Sequence, residues 1–155
     1  MENAWKGYNV CLFAYGQTGS GKSYSMVGGG DDATEGVVPK ACREIFARLR
    51  KGAGDAQVEV TMIEIYNERV KDLLDVATNA NPFETSESAG LKVRTHPTAG
   101  SYVEGLTPCA VRDYGEVEKL MERGSNARTV AATNMNASSS RAHTIVELRV
   151  RRWEA

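Results

Sequence analysis

Apolar positions along this chain change period several times, and each change marks a predicted element. VCLFAY at 10–15 is an unbroken apolar run, the pattern of a strand buried on both faces. The residues from Lys22 are compatible with a helix start. VGGGDDATEG at 27–36 is glycine-rich and acidic, a composition that predicts a mobile surface loop. Ala41, Cys42, Ile45, Phe46 and Leu49 then recur at helical spacing, from a first turn that tolerates Pro39 to a stop at Lys51 and Gly52. In 57–70, Val58, Val60 and Met62 alternate onto one face before Ile63 and Ile65 load the other. That predicts a strand running into a covered part of a sheet.

The second half continues the alternation of elements. VKDLLD at 70–75 reads as a short helical turn, and the polar stretch after it as a loop. LKVRTHPTAGSYVEGL at 91–106 holds two strand-like pieces around HPTAG, where Pro97 and Gly100 favour a turn, so a hairpin is expected. Asp113 and Glu116 have the spacing of a helix cap and its reciprocal partner. Tyr114, Val117, Leu120, Met121 and Ala127 carry the helical period onward. From 142, Val146, Leu148 and Val150 alternate with Glu147, Arg149 and Arg151, a strand with one wet face. Strands and helices in this order predict a layered α/β domain whose sheet is open to a mixed arrangement.

Composition narrows the setting. The chain has 155 residues, 41% of them hydrophobic, enough for one domain with a core. A formal net charge of −1 offers no global field for nucleic acid or an anionic membrane. No apolar run reaches the roughly 18 residues of a membrane span. Expected, therefore, are no nucleic-acid partner, no membrane insertion and a soluble intracellular protein. Three cysteines, Cys11, Cys42 and Cys109, lie far apart without CxxC spacing, so buried thiols are favoured over a disulfide framework or a zinc site.

The chemistry concentrates in residues 16–23, GQTGSGKS, a complete GxxxxGK[ST] phosphate-binding loop between a predicted strand and a helix start. Backbone N–H groups of such a loop converge on phosphate oxygens with the positive end of the helix dipole behind them. Gly16, Gly19 and Gly21 permit close backbone approach. Lys22 is placed for the β and γ phosphates of a nucleoside triphosphate, and the Ser23 hydroxyl for Mg²⁺. A dinucleotide fingerprint fits worse, because its third glycine position holds Tyr24. NMNASSSRAH at 134–143 sets three hydroxyls beside Arg141 and His143, between the long helix and the last strand. Alone it reads as a polar connector with capping serines; beside a phosphate loop it is a candidate γ-phosphate sensor.

Taken together these segments resemble the kinesin motor domain. The resemblance rests on GYNVCLFAYGQTGSGKSYSMVG at 7–28, MIEIYNERVKDLLD at 62–75 and ARTVAATNMNASSSRAH at 127–143, and it covers essentially the whole chain. The hairpin segment is similar to that of the vesicle-carrying kinesin-3 group. The implied fold is a P-loop NTPase, kinesin-motor-like layered α/β fold with a central mixed sheet, incomplete in this chain. The implied activity is an ATPase coupled to movement along microtubules, cytoplasmic and cytoskeletal, with cargo or adaptors bound through segments not present. By resemblance, Gln17, Thr18, Gly19, Ser20, Gly21, Lys22 and Ser23, with Gly16, hold the phosphates of ATP, and Ser23 and Ser140 approach Mg²⁺. Asn136, Ser139, Ser140 and Arg141 form the first switch, Ser139 placing attacking water and Arg141 pairing with an acid in the second switch. Arg128 ties the preceding helix to the same region.

Two departures from the family pattern stand out. The family usually has serine at Ala142 and an acid at Ala137, and the lost hydroxyl is expected to slow hydrolysis or alter switch closure without abolishing ATP binding. No DxxG sequence occurs, so residues 1–155 are expected to be part of a motor domain, from the phosphate loop through the first switch and the following strand. The second switch, the main filament contact and the N-terminal strand fall outside it. The alternative reading is a non-catalytic, kinesin-derived microtubule-associated or scaffold protein. His143 is as consistent with a structural role beside the last strand as with a chemical one; by resemblance His96 lies in a hairpin whose family counterpart touches tubulin, and a solvent-exposed turn histidine is the favoured reading.

Overall fold

The computed structural model describes residues 1–30, 32–52, 55–75, 90–98, 100–135 and 142–153. Helix α1 (Glu2–Trp5) is followed by α2 (Lys22–Met26), a single 3₁₀ turn at Asp32–Thr34, and α3 (Val37–Lys51). Then come β1 (Ala56–Tyr66), β2 (Arg69–Asp72), β3 (Val93–His96), β4 (Gly100–Val103) and β5 (Cys109–Val111). The long helix α4 (Tyr114–Met135) and strand β6 (Ala142–Arg152) complete the order.

Strand β1 is the spine. β6 pairs with it along its full length, from Ala56↔Arg152 to Tyr66↔Ala142. Its other edge is shared: β5 pairs with Val58–Val60 and β2 with Ile63–Tyr66. All described pairings are antiparallel, so the parallel component expected of a mixed sheet has no described strand. The period-2 reading of β1 holds, because Val58, Val60 and Met62 are buried on one face and Ile63 is buried next to them. β6 turns Val146, Leu148 and Val150 to the same face, in register with Met62, Val60 and Val58.

Both long helices cover that face. Cys42 and Phe46 of α3 and Val117 of α4 share one core with Val58, Val60, Met62, Leu73, Leu74 and Val111. The caps are as the sequence suggests: Glu116 N–H donates to Asp113 Oδ1 at 3.0 Å. The reciprocal bond is shifted by one residue, Glu116 Oε2 accepting from Arg112 N–H at 2.8 Å. At α3, Pro39 sits in the first turn, where its missing N–H is no loss.

Helix α4 lies close against the sheet at Gly124, where a Cβ would lie 2.3 Å from Met62 Sδ and 3.4 Å from Leu73 Cβ. Gly124→Ala would ordinarily gain roughly 1 kcal/mol of helix propensity. Overpacking of a filled core costs about 1 to 3 kcal/mol, and the thioether of buried Met62 must shift to admit the methyl group. Gly124→Ala is therefore expected to destabilise the protein, read as a lower urea midpoint; a raised midpoint would contradict this close packing.

Three expectations need correction. Residues 70–75 do not form a helical turn. Arg69–Asp72 is a strand that returns along β1 through a two-residue turn, Asn67 and Glu68, with φ of 48° and 61°. Such a turn matches the twist of a hairpin, and Asn67 suits it, but Glu68 stands where glycine is usual, which hid the signal. Residues 10–15 are not a buried strand either: Leu12, Phe13 and Tyr15 are 54%, 83% and 96% exposed. Burial on both faces requires flanking strands, and none of the described strands runs beside this segment. Of the cysteines only Cys42 is buried, its thiol pushed up to about 11 by loss of water; Cys11 is exposed and Cys109 half-buried.

The hairpin at 91–106 is present, with β3 and β4 paired from Val93↔Val103 to His96↔Gly100. Its root is tied to β2 by Leu91 N–H donating to Val70 O at 2.8 Å. His96 is exposed and accepts at Nδ1 from Thr98 N–H at 3.3 Å, a turn-bracing role.

Candidate functional site

The glycine loop turns directly into α2. Gly19 and Gly21 have φ of 81° and 86°, and Gly21 is the N-cap of α2 in the left-handed region that side chains resist. At Gly16 a Cβ would lie 2.5 Å from Ser20 Oγ, so the start of the loop has room only for glycine. A turn bond from Ser20 N–H to Gln17 O at 3.2 Å closes the loop, and Ser25 N–H to Gly21 O at 2.9 Å opens the helix. Among the described residues, no backbone carbonyl takes up the N–H groups of Gly19, Gly21, Lys22 or Ser23. These are the donors that a helix N-terminus leaves over and that an anion satisfies.

Lys22 points back over the loop. Its ammonium donates to Gly16 O at 2.7 Å and Gln17 O at 2.6 Å, both in contact with solvent. A cation held by two neutral carbonyls of a loop with N–H donors left over suits a phosphate chain. Ser23 is the second residue of α2. Among the described residues no cluster of three or more His, Cys, Asp or Glu side chains forms a metal cage. Ser23 could offer a hydroxyl oxygen to a metal ion at this loop.

The segment between α2 and α3 is better ordered than its composition suggests. It folds back on itself, Gly28 bridging to Glu35, with Gly29 N–H to Thr34 O and Gly36 N–H to Val27 O both at 3.1 Å. Glu35 forms an ion pair with Arg43 of α3 at 3.0 Å. Arg43 in turn lies 4.9 Å from the ring centre of Tyr114, at the start of α4. Burial first, and then Glu118, which accepts from the Tyr114 hydroxyl, push that phenol up to about 12. The phosphate-loop helix is thereby linked through a closed loop to both long helices.

The second candidate segment lies mostly outside the described residues. This holds for Asn136, Ala137, Ser139, Ser140 and Arg141. Its borders are described: α4 ends at Met135, and Ala142 opens β6 opposite Tyr66, with His143 beside it. Arg128, near the end of α4, donates to Thr144 Oγ1 of β6 at 3.1 Å.

One residue to which the sequence pattern assigned no role sits beneath this contact. Glu64 continues the inward positions 58, 60 and 62 of β1, in register with Thr144 on one side and Lys71 on the other. Burial raises its pKa above the ordinary carboxylate value, with Arg128 and then Lys71 pulling the other way. The raised folded pKa means that its contribution to stability is full below the unfolded value and is lost as pH rises through the folded one. The signal was available: a carboxylate on the apolar face of an alternating strand needs a cation.

Residues 1–155 match the family described as the kinesin motor domain, from end to end. The chain belongs to the kinesin family. It is 50% identical over 149 residues to kinesin-like protein unc-104 of Caenorhabditis elegans, covering 94% of this chain and 9% of that protein. Kinesin-related protein 1 of Dictyostelium discoideum is 47% identical over 151 residues, covering 94% of this chain and 6% of its own. Human kinesin-like protein KIF13B is 48% identical over 151 residues, with coverages of 96% and 8%. A solved structure of a fast kinesin superposes with a TM-score of 0.82 at 40% identity, covering 96% of this chain and 40% of that one. This kinesin chain thus spans under a tenth of those three relatives' length, and its α/β architecture is that of part of a kinesin motor domain.

Proposed function

We propose that this kinesin chain supplies the ATP-binding part of a motor that couples ATP hydrolysis to movement along microtubules. One observation carries the reading: a glycine loop with N–H donors left without backbone acceptors and the Lys22 ammonium bonded back to the loop, in a chain of the kinesin family. Gly16 to Gly21 receive the phosphate chain through backbone N–H groups, and Lys22 exchanges its two carbonyl acceptors for phosphate oxygens. Ser23 offers a hydroxyl to Mg²⁺, which when bound neutralises developing charge on the β and γ oxygens. Asn136, Ser139, Ser140 and Arg141 form the first switch, which answers to the terminal phosphate, with Ser140 as the second hydroxyl near the metal. Microtubules are the track, cargo is carried through segments beyond these residues, and the site of action is the cytoplasmic cytoskeleton.

Titration with a fluorescent ATP analogue, with and without Mg²⁺, tests the binding step. Saturable binding strengthened by Mg²⁺ is expected. Absence of binding in both conditions would favour a non-catalytic, microtubule-associated scaffold.

A further inference from the structure

Helix α4 runs along the inward face of β1. Gly124 presses on Met62, and one turn later Arg128 reaches Thr144, the cross-strand neighbour of Glu64. Met62 and Glu64 are successive inward positions of β1, so the helix tracks the strand from its apolar part to its inward carboxylate. Three elements meet there: α4 brings Arg128, β6 brings Thr144, and β2 brings Lys71 opposite Glu64. Beyond Arg128 the helix has only its last turns before it ends at Met135 and the chain enters 136–141.

We propose that Glu64, Arg128 and Thr144 form a clamp that positions the last turns of α4 on the central strands and so directs the chain into residues 136–141. The guanidinium holds the Thr144 hydroxyl by a hydrogen bond and offsets the charge of the half-buried Glu64. All three are positioning residues. The clamp rests on the proposed switch role of 136–141 only for its consequence in turnover; its geometry does not depend on that role.

The test is hydrogen exchange of the protein without nucleotide, with the β1 amides as an internal reference for the fold. Arg128→Ala is expected to speed exchange at 129–135 about fivefold while β1 is unchanged, and Arg128→Lys to restore at least half of the lost protection. Unchanged exchange in Arg128→Ala overturns the clamp. Should Arg128→Ala also loosen β1, Thr144→Val and Glu64→Gln decide: faster exchange confined to 129–135 supports the clamp and unaltered exchange overturns it. In turnover, Arg128→Ala lowers kcat with nucleotide affinity held within about twofold. A protein without any turnover would count against the motor reading and leave the exchange result standing.

Discussion

Lys22→Ala weakens binding of Mg²⁺-ATP by at least about a hundredfold while leaving the fold intact. The ammonium has two short bonds, to Gly16 O and Gln17 O, and both run to the loop that would receive phosphate. Charge-assisted hydrogen bonds contribute roughly 1.5 to 3 kcal/mol each, and about 1.4 kcal/mol is a factor of ten in affinity. Two such bonds to phosphate oxygens give the hundredfold, and more if both are strong. Stability changes little, by about 0.5 kcal/mol or less, because the bonds lost in the free protein are open to water. The check is a titration of both proteins with the same nucleotide, beside a thermal melt of each. Equal affinity for wild type and variant would remove Lys22 from the phosphate site.

Asp72→Ala produces the largest loss of stability, roughly 3 to 5 kcal/mol on the scale of hydrogen bonds to charged groups. Asp72 is 6% exposed, at the end of β2. Its Oδ1 accepts from Leu74 N–H at 2.8 Å and its Oδ2 from Thr107 N–H at 2.7 Å. The carboxylate thus fills the gap between β2 and β5 on the shared edge of β1, where Leu73 N–H donates to Met62 O at 2.8 Å. Leu73 and Leu74, both fully buried, are set into the core by this corner. Arg123 supports it from α4 by donating to Leu74 O at 2.8 Å. Alanine leaves two inward N–H groups without acceptors. Asp72→Asn keeps one acceptor and turns an NH₂ toward the other N–H, so it falls between. Urea denaturation gives the values; a loss below about 1 kcal/mol for alanine would mean that water replaces the carboxylate.

Much of this was legible in the sequence, for a physical reason that differs by element. Helices α3 and α4 and strands β1 and β6 were readable because each buries one face, and burial imposes a period on the residues. The hairpin β3–β4 was readable because Pro97 and Gly100 specify its turn. The phosphate loop was readable because its geometry tolerates few residue types. Three features were hidden. Strand β2 has only four residues and its turn uses Glu68 at positive φ, so neither period nor turn chemistry announced it. Strand β5, with three residues, is held by pairing to Val58–Val60 and by Asp72 at its approach, long-range causes that no local window contains. The exposure of residues 10–15 reflects the opposite case, an apolar run whose strand character depends on neighbours that the described residues do not supply.

The function proposed for this chain is one coupled activity, phosphate turnover governed by a filament. The measurement that tests it most directly is the rate of phosphate release from the protein with ATP, as microtubules are added. The account predicts a rate that climbs and saturates with filament concentration, and that Lys22→Ala abolishes. ATP turnover indifferent to microtubules, or stimulation that survives the loss of Lys22, would contradict it.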